Sequence, residues 1–217
     1  MSYIFDEKTS TPLCEIMGRN KSDKGHALNE TCKHNYTTVY HSIFKDIRDK
    51  ELRVFELGLG TNNIYMPSSM GPDGRPGASV YGWSEYFDKS KIYGADIDKD
   101  ILFNTDRIKT YYCDQTNPNI ISSMWEEPEL CEPFDIIVED GLHEFWANVC
   151  FFENSIHKLA KNGYFIIEDV VEPEIELFNT KIQEWQTKFP DLSFALLKIP
   201  CAINSYDNNL IVIHKSK

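Results

Sequence analysis

The sequence predicts an α/β fold: a wound, mostly parallel sheet of seven strands with an antiparallel last strand and helices on both faces. Three observations predict it. Short apolar, β-branched runs alternate with stretches of helical periodicity along 217 residues. Helical crossovers separate the first five runs, which makes their strands parallel. The strand ends on one edge are polar or acidic, and that is the edge where ligands bind in such sheets.

Length and charge narrow the class. A chain of 217 residues supplies one well-cored domain and is too short for two. The formal net charge of −12 repels nucleic-acid phosphates and anionic membranes, so neither is expected as a partner. No apolar run reaches membrane-spanning length, and the first residues carry no basic-then-apolar leader. The six cysteines (14, 32, 113, 131, 150 and 201) form no C-x-x-C pair, as expected of reduced thiols in a cytoplasmic protein. Cys32-Lys33-His34 is half of a zinc pattern with no second half.

Residues 1–36 read as a polar, irregular arm, either solvated or a lid over a pocket. From Thr37 to about Lys50 the positions Val39, Tyr40, Ile43, Phe44 and Ile47 have helical spacing, with Thr37 or Thr38 as cap. Arg53–Leu57 is a strand running into Gly58-Leu59-Gly60, a turn that lets backbone approach a ligand closely. The dinucleotide fingerprint is incomplete because its third position is Asn63. Glu56, two residues before the first glycine, suits a ligand bearing an amino group better than a pyrophosphate. Residues 66–79, rich in Gly, Pro and Ser, form a long loop of the kind that makes lids.

Ile92–Ala95 is the second strand. At its tip Asp96 is placed to accept bonds from ribose hydroxyls, and Asp98 to cap the following helix. Lys109–Cys113 is the third, tipped by Asp114 and Gln115, which either read an adenine or cap the segment after Pro118. Phe134–Val138 is the fourth and ends in Glu139-Asp140-Gly141, with His143 beyond. A helical stripe follows (Phe145, Val149, Phe152, Ile156, Leu159), stopped by Asn162-Gly163, and Tyr164–Ile167 then runs into Glu168-Asp169. Neighbouring parallel strands lie about 4.8 Å apart, so Asp140, Glu168, Asp169 and His143 share one small space. Converging carboxylates repel unless one takes up a proton or a hard divalent cation neutralises them; the alternative is that they cap, face solvent or pair with a lysine. Pro173 opens a helix with the stripe Ile175, Phe178, Ile182, Trp185 and Phe189. Phe194–Ile199 and Leu210–His214 form an antiparallel pair.

The order E-x-G-x-G, Asp after strand two, Asp after strand three and D-G-x-H after strand four resembles the class I S-adenosylmethionine-dependent methyltransferases, which share a Rossmann-like sheet. Asp140-Gly141-Leu142-His143 followed by Gly163–Asp169 looks like the macrocin/mycinamicin sugar O-methyltransferase and cephalosporin-hydroxylase-like group. Lys21-Ser22-Asp23-Lys24 and His34-Asn35-Tyr36 resemble that group's N-terminal T-D-K and H-x-Y elements. The resemblance covers roughly residues 20–170, with Leu142 in place of a small hydroxyl residue and Ser22 in place of Thr.

The resemblance implies an S-adenosylmethionine-dependent O-methyltransferase domain over residues 37–217. Its acceptor would be a hydroxyl of a sugar, glycan precursor or natural product, and a homo-oligomer is compatible with it. Glu56, Gly58 and Gly60 would hold the methionine part of the cofactor, Asp96 its ribose, and Asp114 with Gln115 its adenine. Asp140, Glu168 and Asp169 would bind Mg2+ or Mn2+, with Asp140 and His143 in the chemistry and His143 as base. The other readings are a catalytically silent adenosylmethionine-binding scaffold and, further off, a nicotinamide-dependent oxidoreductase.

Overall fold

The computed structural model describes residues 9–25 and 33–216. Cys32 therefore lies outside the described residues, as do residues 1–8 and 26–31. The helices are α1 (Pro12–Asn20), α2 (Tyr36–Phe44), α3 (Ala78–Tyr86), α4 (Pro118–Trp125), α5 (Phe145–Ser155) and α6 (Ile175–Lys188). The strands are β1 (Arg53–Leu57), β2 (Lys91–Asp96), β3 (Ile108–Tyr112), β4 (Phe134–Glu139), β5 (Leu159–Ile167), β6 (Leu192–Lys198) and β7 (Asn209–Lys215).

They form one seven-stranded sheet in the order β3-β2-β1-β4-β5-β7-β6. The pairings from β3 across to β5 are parallel, and β7 runs antiparallel to both β5 and β6. The chain winds outward from β1 to β3, then returns to lay β4 on the other side of β1. That reversal opens a crevice at the carboxyl ends of β1 and β4. The last two strands are the expected antiparallel pair, with β7 inserted between β5 and β6.

Period-two alternation in the strands sorts the core into two faces. Val54, Ile136, Val138 and Ile166 pack with Leu13, Met17, Tyr40, Phe44 and Trp83 of α1–α3. Their neighbours Phe55, Ile137, Phe165 and Ile167 pack with Trp125, Phe151, Phe152, Phe178 and Trp185 of α4–α6. Both faces are covered, which is why the central strands read as continuous apolar runs. None of the described helices is long and apolar enough to cross a membrane.

Three local expectations are corrected. The arm expected to be irregular contains α1. Thr11 caps it, its Oγ1 accepting from Cys14 N at 3.2 Å, and Pro12 sits in its first turn. Leu13, Cys14 and Met17 are buried, and Met17 fills the space left by the missing side chain of Gly82. The second helix starts at Tyr36, so Thr37 and Thr38 lie inside it; Asn35, at the cap position, gives its side chain instead to Pro200 O and Asn208 Nδ2 at 2.8 Å each. The helix before β5 ends at Ser155, not at Asn162-Gly163. A single 3-10 turn, Ile156–Lys158, keeps Ile156 and Leu159 buried three residues apart, which sustains the apolar spacing after the α-helix has ended.

Gly58 adopts φ +88°, and a Cβ there would run into the Asp140 carbonyl. Gly58→Ala should therefore lower stability by about 1–3 kcal/mol, read as a fall in the thermal unfolding midpoint. A wild-type melting curve would show that the turn does not need this close approach.

Candidate active site

A cavity of about 450 Å³ occupies the crevice. One half is built on the glycine turn. Gly58 N donates to Ala95 O at 2.8 Å and Leu59 N to Asp96 Oδ2 at 2.7 Å, so the tip of β2 holds the turn open. Asp96 also accepts from Asp98 N through Oδ1 at 2.8 Å. Burial pushes its carboxyl upward while these backbone bonds oppose the rise. Asp98 caps the turn Lys99–Ile101, accepting from Asp100 N at 3.0 Å, and takes the Thr61 hydroxyl at 2.5 Å.

At the tip of β3, Asp114 Oδ1 accepts from Thr116 N and Oγ1, at 2.9 and 2.6 Å. Gln115 has both ends of its amide in use: Nε2 donates to Glu139 Oε1 at 2.9 Å, and Oε1 accepts from Leu142 N at 2.7 Å. Asn117, rather than either of these two, caps α4. Gly58, Gly60, Asp96, Asp114 and Gln115 all line the cavity; Glu56 does not.

The other half is built by strand parity. Glu56, Asp140 and Glu168 continue the alternation of Val54, Val138 and Ile166, so all three turn toward the α1–α3 face. There they meet Lys24, which is 2 % exposed. Its Nζ bonds to Asp140 Oδ2, lies 2.5 Å from Glu168 Oε2 and sits 3.2 Å from Glu56 Oε1. Tyr40 Oη donates to the other oxygen of Glu168 at 2.5 Å. One turn earlier on α2, Tyr36 Oη donates to Asp169 Oδ1 at 2.7 Å. By parity Asp169 belongs to the opposite face, but φ +52° swings it back into the crevice. Glu139 obeys parity, ending buried against Gln115, where burial raises it to about 7.

His143, also at positive φ (+60°), places Nε2 3.0 Å from Asp140 Oδ1 and 3.6 Å from Asp169 Oδ2. Glu144, not His143, holds the N-cap position of α5. Burial opposes a charge on the ring, yet the Asp169 and Asp140 carboxylates outweigh it and push His143 up to about 10. For Asp140, burial acts upward, but Lys24 and His143 hold it down at about 2. Burial lifts Glu56 to about 7 against the pull of Lys24, and keeps Glu168 well above the carboxylate range.

The sequence places Asp140, Glu168, Asp169 and His143 in one space. The structure brings ligand atoms of Asp140, His143 and Asp169 within 4.8 Å of one another, while Glu168 stands behind them on Lys24 and Tyr40. Two hard oxygens and an imidazole nitrogen make a donor set that a divalent cation accepts. Full ionisation of all four carboxylates (Glu56, Asp140, Glu168, Asp169) would exceed the two cations, Lys24 and protonated His143; the upward shifts of Glu56 and Glu168 relieve that excess, and a divalent cation would relieve it in the same way. Tyr40 is the member that sequence reasoning gave only to the core stripe of its helix; Lys24 and Tyr36 were named through the resemblance but given no role, and the structure places both on the acids. Their signal was available in the demand of converging acids for a counter-charge, and in two tyrosines four apart on one helix face.

No family model matches the chain. Among curated proteins it is 29% identical over 137 residues to the 8-demethyl-8-alpha-L-rhamnosyl tetracenomycin-C 2'-O-methyltransferase of Streptomyces olivaceus, covering 63% of this chain and 33% of that one. It is also 29% identical over 158 residues to the demethylmacrocin O-methyltransferase of Streptomyces fradiae, covering 73% and 36%. The chain thus spans about a third of the length of the curated relatives it matches. Among solved structures it is similar to the MycE methyltransferase from the mycinamycin biosynthetic pathway in complex with Mg and SAH. The TM-score is 0.71 at 23% identity, over 96% of this chain and 56% of that one. The fold is that of the class I methyltransferases.

The contacts of His143 are open to measurement. Its contribution to stability is complete below pH 6.5, the ordinary value, and is lost as pH rises through about 10. In Asp140→Asn the imidazole midpoint, followed by NMR, should move from about 10 toward 6.5. If it stays where it is in the wild type, Asp140 is not what holds the proton.

Proposed function

We propose that this chain is an S-adenosylmethionine-dependent O-methyltransferase acting on a hydroxyl of a sugar, glycan precursor or natural product, assisted by Mg2+ or Mn2+. The observation that carries the reading is the placement of Asp140, His143 and Asp169 at the crevice, beside a glycine turn braced by Asp96. O-methyltransferases with sugar-bearing names among its relatives support it, as do MycE complexes with Mg, SAH and mycinamycin VI. The silent-scaffold and nicotinamide alternatives are not favoured.

Gly58 and Gly60 line the part of the cavity where the donor's methionine part would sit. Glu56, behind the cavity wall, takes no direct part in this binding. Asp96, at the cavity wall, is the carboxylate placed for the ribose hydroxyls. Asp114 has Oδ2 open toward an adenine, and Gln115 shapes that wall by bracing Leu142 and Glu139. When bound, the donor supplies an electrophilic methyl on a sulfonium, and the cation supplies charge that lowers the pKa of the acceptor hydroxyl.

Asp140 and Asp169 are the carboxylates in place to hold the cation; Glu168 joins only by leaving Lys24 or Tyr40. The same two aspartates hold His143 as an imidazolium. A cation held by them would draw on the same carboxylate charge, and His143 in its neutral form would be the group to accept the acceptor's proton at Nε2. Ser22, Asp23, His34, Asn204 and Asp207 also line the cavity and are the groups that would meet the acceptor. Hydroxyl, carboxylate and amide groups in that density suit a polyol. Residues 37–217 then form the methyltransferase domain, and residues 9–25 pack into its α1–α3 layer and bring Lys24 to the site. The buried free thiols of Cys14 and Cys113 fit a cytoplasmic setting.

The test is transfer of a labelled methyl group to a panel of glycosylated acceptors, with and without chelator, alongside calorimetric titration of S-adenosylmethionine. Asp140→Asn should abolish turnover while donor affinity stays within about threefold, as expected of an acid outside the donor's contacts. Asp96→Ala should weaken donor binding by roughly tenfold or more, the worth of a charged hydrogen bond. Equal loss of donor binding in both variants would place Asp140 at the donor and refute the assignment.

A further inference from the structure

A buried lysine stands where the proposed reaction calls for no lysine. Lys24 takes Asp140 Oδ2 and Glu168 Oε2, oxygens of two of the three acids that the resemblance assigns to a divalent cation. Its position is built into the backbone. Ser22 N donates to Met17 O at 3.0 Å, His34 N to Asp23 O at 3.0 Å, and Thr37 N to Lys24 O at 3.3 Å. The segment is thus tied to the end of α1 on one side and the start of α2 on the other. Tyr40 takes the second oxygen of Glu168, so while Lys24 is in place that acid has no oxygen free of a hydrogen bond.

We propose that Lys24 is a resident cation of this centre, a positioning residue that competes with the divalent ion for Asp140 and Glu168 and keeps its binding weak and exchangeable. The proposal rests on the methyltransferase reading for the ion's purpose, and on geometry alone for the competition. Two like charges within a few ångströms in a partly desolvated site repel strongly, and each oxygen bonded to the ammonium is withheld from the ion. The N-terminal segment thereby belongs to the centre itself, because it delivers the ammonium 116 residues along the chain from Asp140.

Calorimetric titration of Mn2+ into the full chain tests this, comparing wild type with Lys24→Met and Lys24→Arg. Lys24→Met should bind at least about tenfold more tightly, and Lys24→Arg, which keeps the charge, should stay close to wild type. Affinity that is unchanged or weaker in Lys24→Met, or binding by neither protein, overturns the proposal. A purely structural lysine would not tighten the site when removed.

Because Lys24→Met leaves three buried acids facing one another, the wild type provides a second measurement. Acetylation mapped by mass spectrometry, with the exposed Lys188 as reference, should find Lys24 protected without ion and reactive at saturating Mn2+. Protection that persists overturns the competition. Titrating S-adenosylmethionine into the same samples separates the two ideas. Failure to bind the donor sinks the methyltransferase reading alone, whereas donor binding with Mn2+ affinity indifferent to Lys24 sinks only the resident cation.

Discussion

The constraint on which the rest of this structure depends is the compensation of negative charge buried at the carboxyl edge of the sheet. Glu56, Glu139 and Glu168 are at most 1 % exposed. An unpaired carboxylate in such a place is too costly to keep ionised. Each therefore has an assigned partner: Lys24 for Glu56, Gln115 for Glu139, and Lys24 with Tyr40 for Glu168. These partners come from three separate parts of the chain, so the site forms only when the α1–α3 layer has closed on the sheet and the tip of β3 has met that of β4.

That requirement gives the α1–α3 layer a double duty. Its apolar residues, Val39, Phe44 and Trp83 among them, bury one face of the sheet. Its polar members, Lys24, Tyr36 and Tyr40, reach the acids at the end of the same strands. The tyrosines stack through this layer as well, Tyr36 on His34 and Tyr40 beside Phe44 and Trp83, so their rings are held by packing while their hydroxyls hold the acids. Both hydroxyls resist ionisation, because burial and then the neighbouring carboxylates disfavour a phenolate. They remain donors over the whole physiological range.

The backbone supplies what side-chain parity does not. Asp169 and His143 both sit at positive φ, a conformation costing roughly 1 kcal/mol or more for residues of this kind. Without the turn at Asp169, its carboxylate would follow Ile167 to the α4–α6 face and leave His143 with a single partner. Two left-handed residues on adjacent strand tips thus convert a row of alternating acids into a converging cluster. Such strain gathers where function needs it and packing elsewhere sustains it.

Much of this was legible beforehand, for reasons that are local. The central strands announce themselves because both their faces are buried, and the glycine turn because few other residues tolerate φ +88° against a neighbouring carbonyl. The offset of three between Asp140 and His143 sufficed to bring them together. Less was legible where two signals share a period: the 3-10 turn at Ile156–Lys158 continues the apolar spacing of α5, so the end of the helix was hidden. α1 was missed because its apolar residues, Leu13, Cys14, Ile16 and Met17, are set within a polar stretch.

The sequence by itself thus determined the sheet, its winding and the row of acids along one edge, since alternation and crossover length are properties of short stretches. Only the tertiary structure decided which partner holds which acid. Glu168 and Asp169 are neighbours in the chain, yet one is locked between Lys24 and Tyr40 while the other faces His143. That division depends on a cation brought from 144 residues away and on the sign of one φ angle, and neither is encoded in the spacing of the acids themselves.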